Sequence, residues 1–146
     1  MDKEELLQQL QGALDNEENA YIMNLTNEKI YNMKRRVLSD LQLEKEEEDD
    51  IMDKLADYIY IDEIPEFKNG CYIRWINLNN PDNLKLSSGS TICDIELREG
   101  GTYIICRNMY GRRKVCFQIK MDEHFVFRKL TDQEKVLLSV MNYLSK

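Results

Sequence analysis

Apolar residues recur at two different periods along this 146-residue chain, and the change comes near its middle. Leu6, Leu7, Leu10 and Leu14 fall on one narrow stripe of a helix over 3–15, because residues three and four apart share a helical face. Ala20, Tyr21, Ile22, Met23 and Leu25 form a denser patch. Thr26 and Asn27 suit the start of a next helix that carries Ile30, Met33, Val37, Leu38 and Leu41 on one side, since their short side chains can accept from free N–H groups. Ile51, Met52, Leu55, Tyr58 and Ile59 repeat the helical spacing once more. Pro65 then stops the helix and Asn69-Gly70 signals a turn.

Beyond residue 70 the period becomes two. Cys71, Ile73 and Trp75 alternate with Tyr72, Arg74 and Ile76, as expected of a strand. Residues 77–90 are polar and hold Asn79-Asn80-Pro81 and Ser87-Ser88-Gly89, which predicts a long loop. In 91–98, Cys93, Ile95 and Leu97 are expected inward, with Asp94, Glu96 and Arg98 outward. Gly100-Gly101 predicts a two-residue hairpin into 102–108. Turns at Met109-Tyr110-Gly111-Arg112 and at Asp122-Glu123 separate a fourth strand, with Val115, Phe117, Ile119 and Met121 on one face, from a short fifth over 124–130. Thr131-Asp132-Gln133-Glu134 reads as a capping box that opens a last helix, with Val136, Leu137, Val140, Met141 and Leu144 on its stripe.

The expected fold is α+β: an acidic N-terminal helical region over 1–64, then over 65–146 a small five-stranded antiparallel SH3-like β-barrel with a C-terminal helix. A long first loop followed by tight hairpins favours this barrel. An OB-fold would place a helix between its third and fourth strands, and too few residues lie there.

Charge sharpens the division. Residues 1–66 carry 7 Lys+Arg and 19 Asp+Glu, a net of −12, whereas residues 67–146 carry 13 and 8, a net of +5. Such a split marks segments with different partners, or segments that partner each other. The most acidic run, Glu44-Lys45-Glu46-Glu47-Glu48-Asp49-Asp50, fits a helix start or a solvated face. Its like charges diverge around a helix, so it is not expected to hold a metal. Cys71, Cys93, Cys106 and Cys116 form no C-x-x-C pair and the chain has one His, which argues against a structural zinc. All four cysteines sit in strand-like runs, where buried free thiols of a reduced compartment are expected. The acidic start Met1-Asp2-Lys3-Glu4-Glu5 lacks the apolar stretch of a secretory signal. No run approaches the length of a membrane span. The expected location is intracellular, in cytoplasm or nucleus, with no membrane partner.

No phosphate-binding, dinucleotide-binding, nucleophile-elbow or zinc-protease motif occurs. His124 follows Asp122-Glu123, but three adjacent turn residues cannot converge on one substrate. No catalytic residue, metal or cofactor is therefore assigned. Binding chemistry is better represented. Arg107, Arg112, Arg113 and Lys114 lie in or beside the later strands, interleaved with Tyr103 and Tyr110. Basic groups that pair with phosphates and aromatics that stack on bases would suit single-stranded nucleic acid. Trp75, Tyr72 and Tyr103 could instead line an aromatic cage for a methylated cation. In the helical half, Leu6, Leu10, Ile30, Val37 and Leu41 are candidates for a protein interface or for self-association.

The stretches Gly70-Cys71-Tyr72-Ile73-Arg74-Trp75-Ile76 and Phe127-Arg128-Lys129-Leu130-Thr131-Asp132-Gln133-Glu134 resemble small uncharacterised proteins of large nucleocytoplasmic DNA viruses. The similarity covers roughly the C-terminal half. It implies a small virion or infected-cell protein with no enzymatic role. The reading that results is a non-enzymatic interaction and assembly module, a scaffold or virion component. Its alternative is a nucleic-acid-binding barrel whose basic face is gated by the acidic helical half.

Overall fold

The structure, a computed structural model, describes residues 3–16, 22, 25–63 and 70–144, apart from the side chains of Met109 and Tyr110. Most of the apolar patch over 20–25, the Pro65 helix stop and Asn69 of the expected turn lie outside the described residues. The chain divides into two compact units, Met1–Arg36 with Leu130–Lys146, and Val37–Lys129.

The first unit is helical. Helix α1, Lys3–Asp15, packs on the C-terminal helix, Asp132–Leu144. The buried residue of α1 is Ala13, and Leu10 beside it is half-buried, while the rest of the leucine stripe is exposed. Glu5, Gln9 and Gly12 line a concavity with Asp132, Gln133 and Val136 of the C-terminal helix, and Asn16 donates to Gln133 Oε1 at 3.0 Å. Helix α2, Asn27–Ser39, starts as the sequence predicts. Thr26 Oγ1 accepts from Lys29 N at 3.2 Å, and Asn142 Oδ1 accepts from Asn27 N at 3.0 Å. The capping box of the last helix is closed in both directions: Thr131 N donates to Glu134 Oε1 at 2.8 Å, and Glu134 N to Thr131 Oγ1 at 3.2 Å. The pair satisfies two helix-terminal N–H groups, so Glu134 is buried at little cost. The buried side chains of that helix are Leu137 and Leu138. Its stripe is thus turned from the expected one, and Leu144 stands exposed.

The second unit begins within α2, at Val37. Helix α3 spans Lys45–Lys54, and Glu46, Glu47 and Glu48 in its first turn meet the positive end of the helix dipole. Six strands follow: β1 Tyr58–Ile61, β2 Tyr72–Asn77, β3 Ser90–Arg98, β4 Gly101–Tyr110, β5 Arg113–Lys120 and β6 His124–Lys129. They form one antiparallel sheet in the order β1-β6-β2-β3-β4-β5.

Two expectations are corrected here. The sheet has six strands, not five, and it is open rather than a closed barrel, since its edge strands β1 and β5 do not pair with each other. The extra strand comes from residues read as helix. Tyr58-Ile59-Tyr60-Ile61 fits a helical stripe with Ile51 and Leu55, but it is equally an alternating aromatic and β-branched run. Its partner lies some way along the chain, with Tyr58 opposite Lys129 and Ile61 opposite Val126, so no local window reveals the pairing.

The open sheet nevertheless coils tightly. A 3-10 turn of three residues, Met121–Glu123, carries the chain from β5 at one edge to β6, four places away. In a flat sheet those strands would stand about 19 Å apart, at about 4.8 Å per strand, more than a 3-10 turn of this length can span. Likewise, Trp75 of β2 and Phe117 of β5 bring their ring centroids within 5.7 Å. Two apolar layers result. Ile73, Ile92, Ile104, Cys106, Ile119 and Val126 pack inside the curl. On the opposite face Val37, Leu38, Ile51, Met52, Leu55, Tyr58, Ile76 and Phe127 join the helices to the sheet. Strand β2 is buried on both sides, as the alternation of Ile73 with Ile76 requires.

A β-bulge between Ile92 and Asp94 breaks the register of β3 against β4. It corrects the expected inward position of Cys93, which is exposed, because the extra residue of a bulge is left out of the pairing. Leu97, also expected inward, is 74% exposed near the end of the strand.

Candidate functional site

The outer surface of the curled sheet is built from the residues of β3, β4 and β5 that alternate with the buried ones. Opposite one another stand Thr91, Arg107 and Cys116, then Glu96, Tyr103 and Lys120. The basic and aromatic residues picked out in the sequence are therefore divided along the hairpin. Tyr103 lies near its base, where Arg98 stacks over the ring with its guanidinium carbon 4.6 Å from the centroid. Arg98 is also held by Glu96 and by Gln118, whose Oε1 accepts at 2.9 Å. That end of the face is of mixed sign.

The other end is wholly basic. Arg107, Arg112, Arg113 and Lys114 are all exposed, and none has an ion pair among the described residues. They cluster because the turn at Gly111, with φ +65°, folds β5 back on β4 and sets Tyr110 opposite Arg113. The side chain of Tyr110 lies outside the described residues. The last pair of β4 with β3 at this end is Arg107 with Thr91. Three further β4–β5 pairs, Asn108 with Val115, Met109 with Lys114 and Tyr110 with Arg113, continue beyond it. Strand β3 runs one residue further, to Ser90, so the β4–β5 hairpin overhangs it by two pairs, about 7 Å at about 3.4 Å per residue.

The aromatic cage does not assemble as a unit. Trp75 and Tyr103 share the wall of a concavity of about 560 Å³ with Phe117, but Tyr72 is elsewhere, its hydroxyl donating to Ser88 O at 2.7 Å. His124 opens β6 with Nδ1 2.7 Å from Lys120 O, so that nitrogen donates to a backbone carbonyl. Glu123 beside it accepts from Asn79 Nδ2 at 3.0 Å. Neither group is positioned by the other for acid–base work. Among the described residues no three His, Cys, Asp or Glu side chains converge as a metal site, and no helix is long and apolar enough to cross a membrane.

The helical candidates separate by depth. Ile30 and Val37 are buried and Leu41 packs against the helix–sheet core. Leu10 is half-buried, while Leu6, Leu7 and Leu14 are 48%, 54% and 47% exposed. Sequence reasoning missed Leu84 and Leu86, placed in a loop read as polar. Both pack on the helix–sheet core, and Leu86 forms a bridge with Ile76. Their spacing of two, outside any strand, was the available signal. With Leu41 and Leu43 they floor a groove of about 520 Å³ between α3 and this loop.

The thiols also differ. Cys93 and Cys116 are exposed, Cys71 is half-buried and Cys106 is buried, which corrects the expectation that all four are core. Burial, with Cys93 and Cys71 nearby, pushes the Cys106 thiol from its ordinary 9.0 up to about 12. Between those values the unfolded chain gives up a proton that the folded chain keeps. This group therefore makes stability fall as pH rises from about 9 towards about 12, and leaves it unchanged below. A colorimetric thiol reagent should modify Cys93 and Cys116 in the native protein and reach Cys106 only on unfolding. Native labelling of Cys106 at the rate of Cys116 would show that strand β4 opens locally.

No protein-family model, curated protein or solved structure matches this chain.

Proposed function

We propose that the chain is a non-enzymatic assembly module that associates through the leucine face of α1. The observation that carries this reading is the orientation of that helix. At about 100° per residue, Leu6, Leu7, Leu10 and Leu14 share a stripe about 100° wide, of which Leu6, Leu7 and Leu14 are exposed, while Ala13 is the residue of α1 that is buried. Tyr31, Tyr143 and Leu144, from the same unit, are exposed as well. A helix that buries one alanine and leaves three leucines of its stripe exposed to water has most of its stabilising apolar contact still to make.

The curled sheet supports a scaffold role. We read its order of elements as SH3-like, with the sheet left open and an edge strand added. Its long first loop, three hairpin-linked strands, 3-10 turn and last strand returning beside the first suit that architecture, and β1 extends it. The resemblance of the C-terminal half to small proteins of large DNA viruses would make the chain a virion or scaffold component.

Sedimentation velocity tests the reading. The full chain should form dimers or larger species as concentration rises. At high salt, Leu6→Glu with Leu14→Glu should leave it monomeric with unchanged circular dichroism, since both residues are exposed. Equal association in both proteins would remove α1 as the interface.

The nucleic-acid alternative draws on one observation, the basic hairpin end with no ion pair among the described residues. Binding there should weaken steeply with salt.

A further inference from the structure

We infer that the overhanging β4–β5 hairpin is a docking arm, and that its receptor is the acidic-rimmed groove between α3 and the 81–86 loop of a second copy of this chain. Three observations carry the assignment. First, two strand pairs of the hairpin extend past β3, and no other strand borders them on that side of β4 among the described residues. A bare two-stranded ribbon is marginal in water, so an overhang of this kind gains from being covered.

Second, the two surfaces are opposite in charge. Residues 107–114 hold Arg107, Arg112, Arg113 and Lys114 and no acid, a net of +4. The groove is lined by Glu44, Glu47, Asp50 and Asp82 against Lys54 and Lys85, a net of −2. On the groove rim Asp50 is paired with Lys54 at 2.9 Å, while Glu44 and Glu47 have no ion pair among the described residues. No hairpin residue lines the groove within the chain, so the match is left for another molecule.

Third, the receptor is more than a charged face. Its floor is Leu41, Leu43, Leu84 and Leu86, half-buried over the helix–sheet core. That leaves apolar surface for the arm to cover beside a rim in which carboxylates outnumber lysines, an arrangement in which opposed charges fix orientation and apolar area supplies affinity. The arm is already folded as paired strands, so docking orders little further backbone. Because arm and receptor are different surfaces, the contact is head-to-tail and propagates from copy to copy.

The inference extends the assembly reading to a surface that shares no residue with α1. Sedimentation velocity at low and high salt tests it with two double variants, Arg112→Glu with Arg113→Glu, and Glu44→Lys with Glu47→Lys. All four residues are exposed, and circular dichroism checks that both variants stay folded. Wild type should associate at low salt and lose the larger species at high salt. Each variant alone should lose them at low salt, and an equimolar mixture of the two should regain them, because the reversed arm then meets a reversed groove. Variants that associate as well as wild type, while the α1 leucine variant does not, would overturn the docking arm and leave the α1 reading standing. Loss in the charge variants alone would do the reverse. A wild type that stays monomeric at low salt, while a labelled single-stranded oligonucleotide binds it and not Arg112→Glu with Arg113→Glu, would overturn the groove as receptor and give the arm to nucleic acid.

Discussion

Phe127→Ala is expected to lower the stability of the sheet unit by about 3–5 kcal/mol, the range for deleting a fully buried aromatic ring. Phe127 is 0% exposed and belongs to the core between the helices and the sheet. It lies on β6, between β1 and β2, opposite Tyr60 on one side and Arg74 on the other. Its ring meets Tyr60 at 5.7 Å, and Tyr60 in turn meets Phe125 edge-on at 6.0 Å. A strand paired on both sides cannot slide inward to fill a cavity, so the loss should lie near the top of the range. Phe125→Ala, which removes a half-buried ring from the same strand, should cost clearly less. Urea unfolding followed by near-ultraviolet circular dichroism measures both. A loss under about 1 kcal/mol for Phe127→Ala would mean that the helix layer does not pack on this face of the sheet.

The second large effect is expected at Gly89, just before β3. Its φ of +103° is one that side chains rarely adopt. An added Cβ would lie 2.5 Å from Tyr72 Cε1 and 2.7 Å from Ile73 O. The tyrosine ring could swing away at the cost of its hydrogen bond to Ser88 O. The carbonyl cannot, because Ile73 is paired with Ser90 on one side and Arg128 on the other. Gly89→Ala must therefore carry backbone strain of about 1–3 kcal/mol together with displacement of β2 from β3, and a total of about 3 kcal/mol or more is expected. Gly111→Ala is the control. Its φ is +65° and nothing lies within 4 Å of the added carbon, so only about 1 kcal/mol of left-handed strain applies. Thermal melts should separate the two variants widely. Equal shifts would show that the β2–β3 junction yields.

These effects bear on function through what the sheet carries. The hairpin overhang has a definite direction only if β4 is held by β3. The groove floor exists only if Leu84 and Leu86 stay seated on the core. Gly89→Ala should therefore weaken association through the arm as well as stability, whereas Gly111→Ala disturbs only the turn at the tip.

Much of the local structure could be read directly from the residues. The leucine spacing of α1, Thr26 as a cap, the Thr131–Glu134 box, the β3–β4 hairpin (whose two turn residues are Glu99 and Gly100, with Gly101 already paired to Arg98 rather than in the turn) and the alternation along β2 and β5 each depend on neighbours within a few positions. Elementary stereochemistry and hydrogen bonding decide such features. The split in charge and the basic hairpin end were equally legible, since charge is a property of composition. Tertiary structure alone decided what depended on partners distant in the chain. Tyr58–Ile61 is a strand because β6 offers it an edge, not because its own spacing excludes a helix. Cys93 faces water because a bulge changes the register of β3 on β4. Ile30 and Val37 are buried while Leu6, Leu7 and Leu14 are not, although all lie on apolar stripes, because a stripe states only that a helix has a face to bury. Which neighbour covers that face is settled by long-range packing, and hydrophobic burial has no direction until the partners have met.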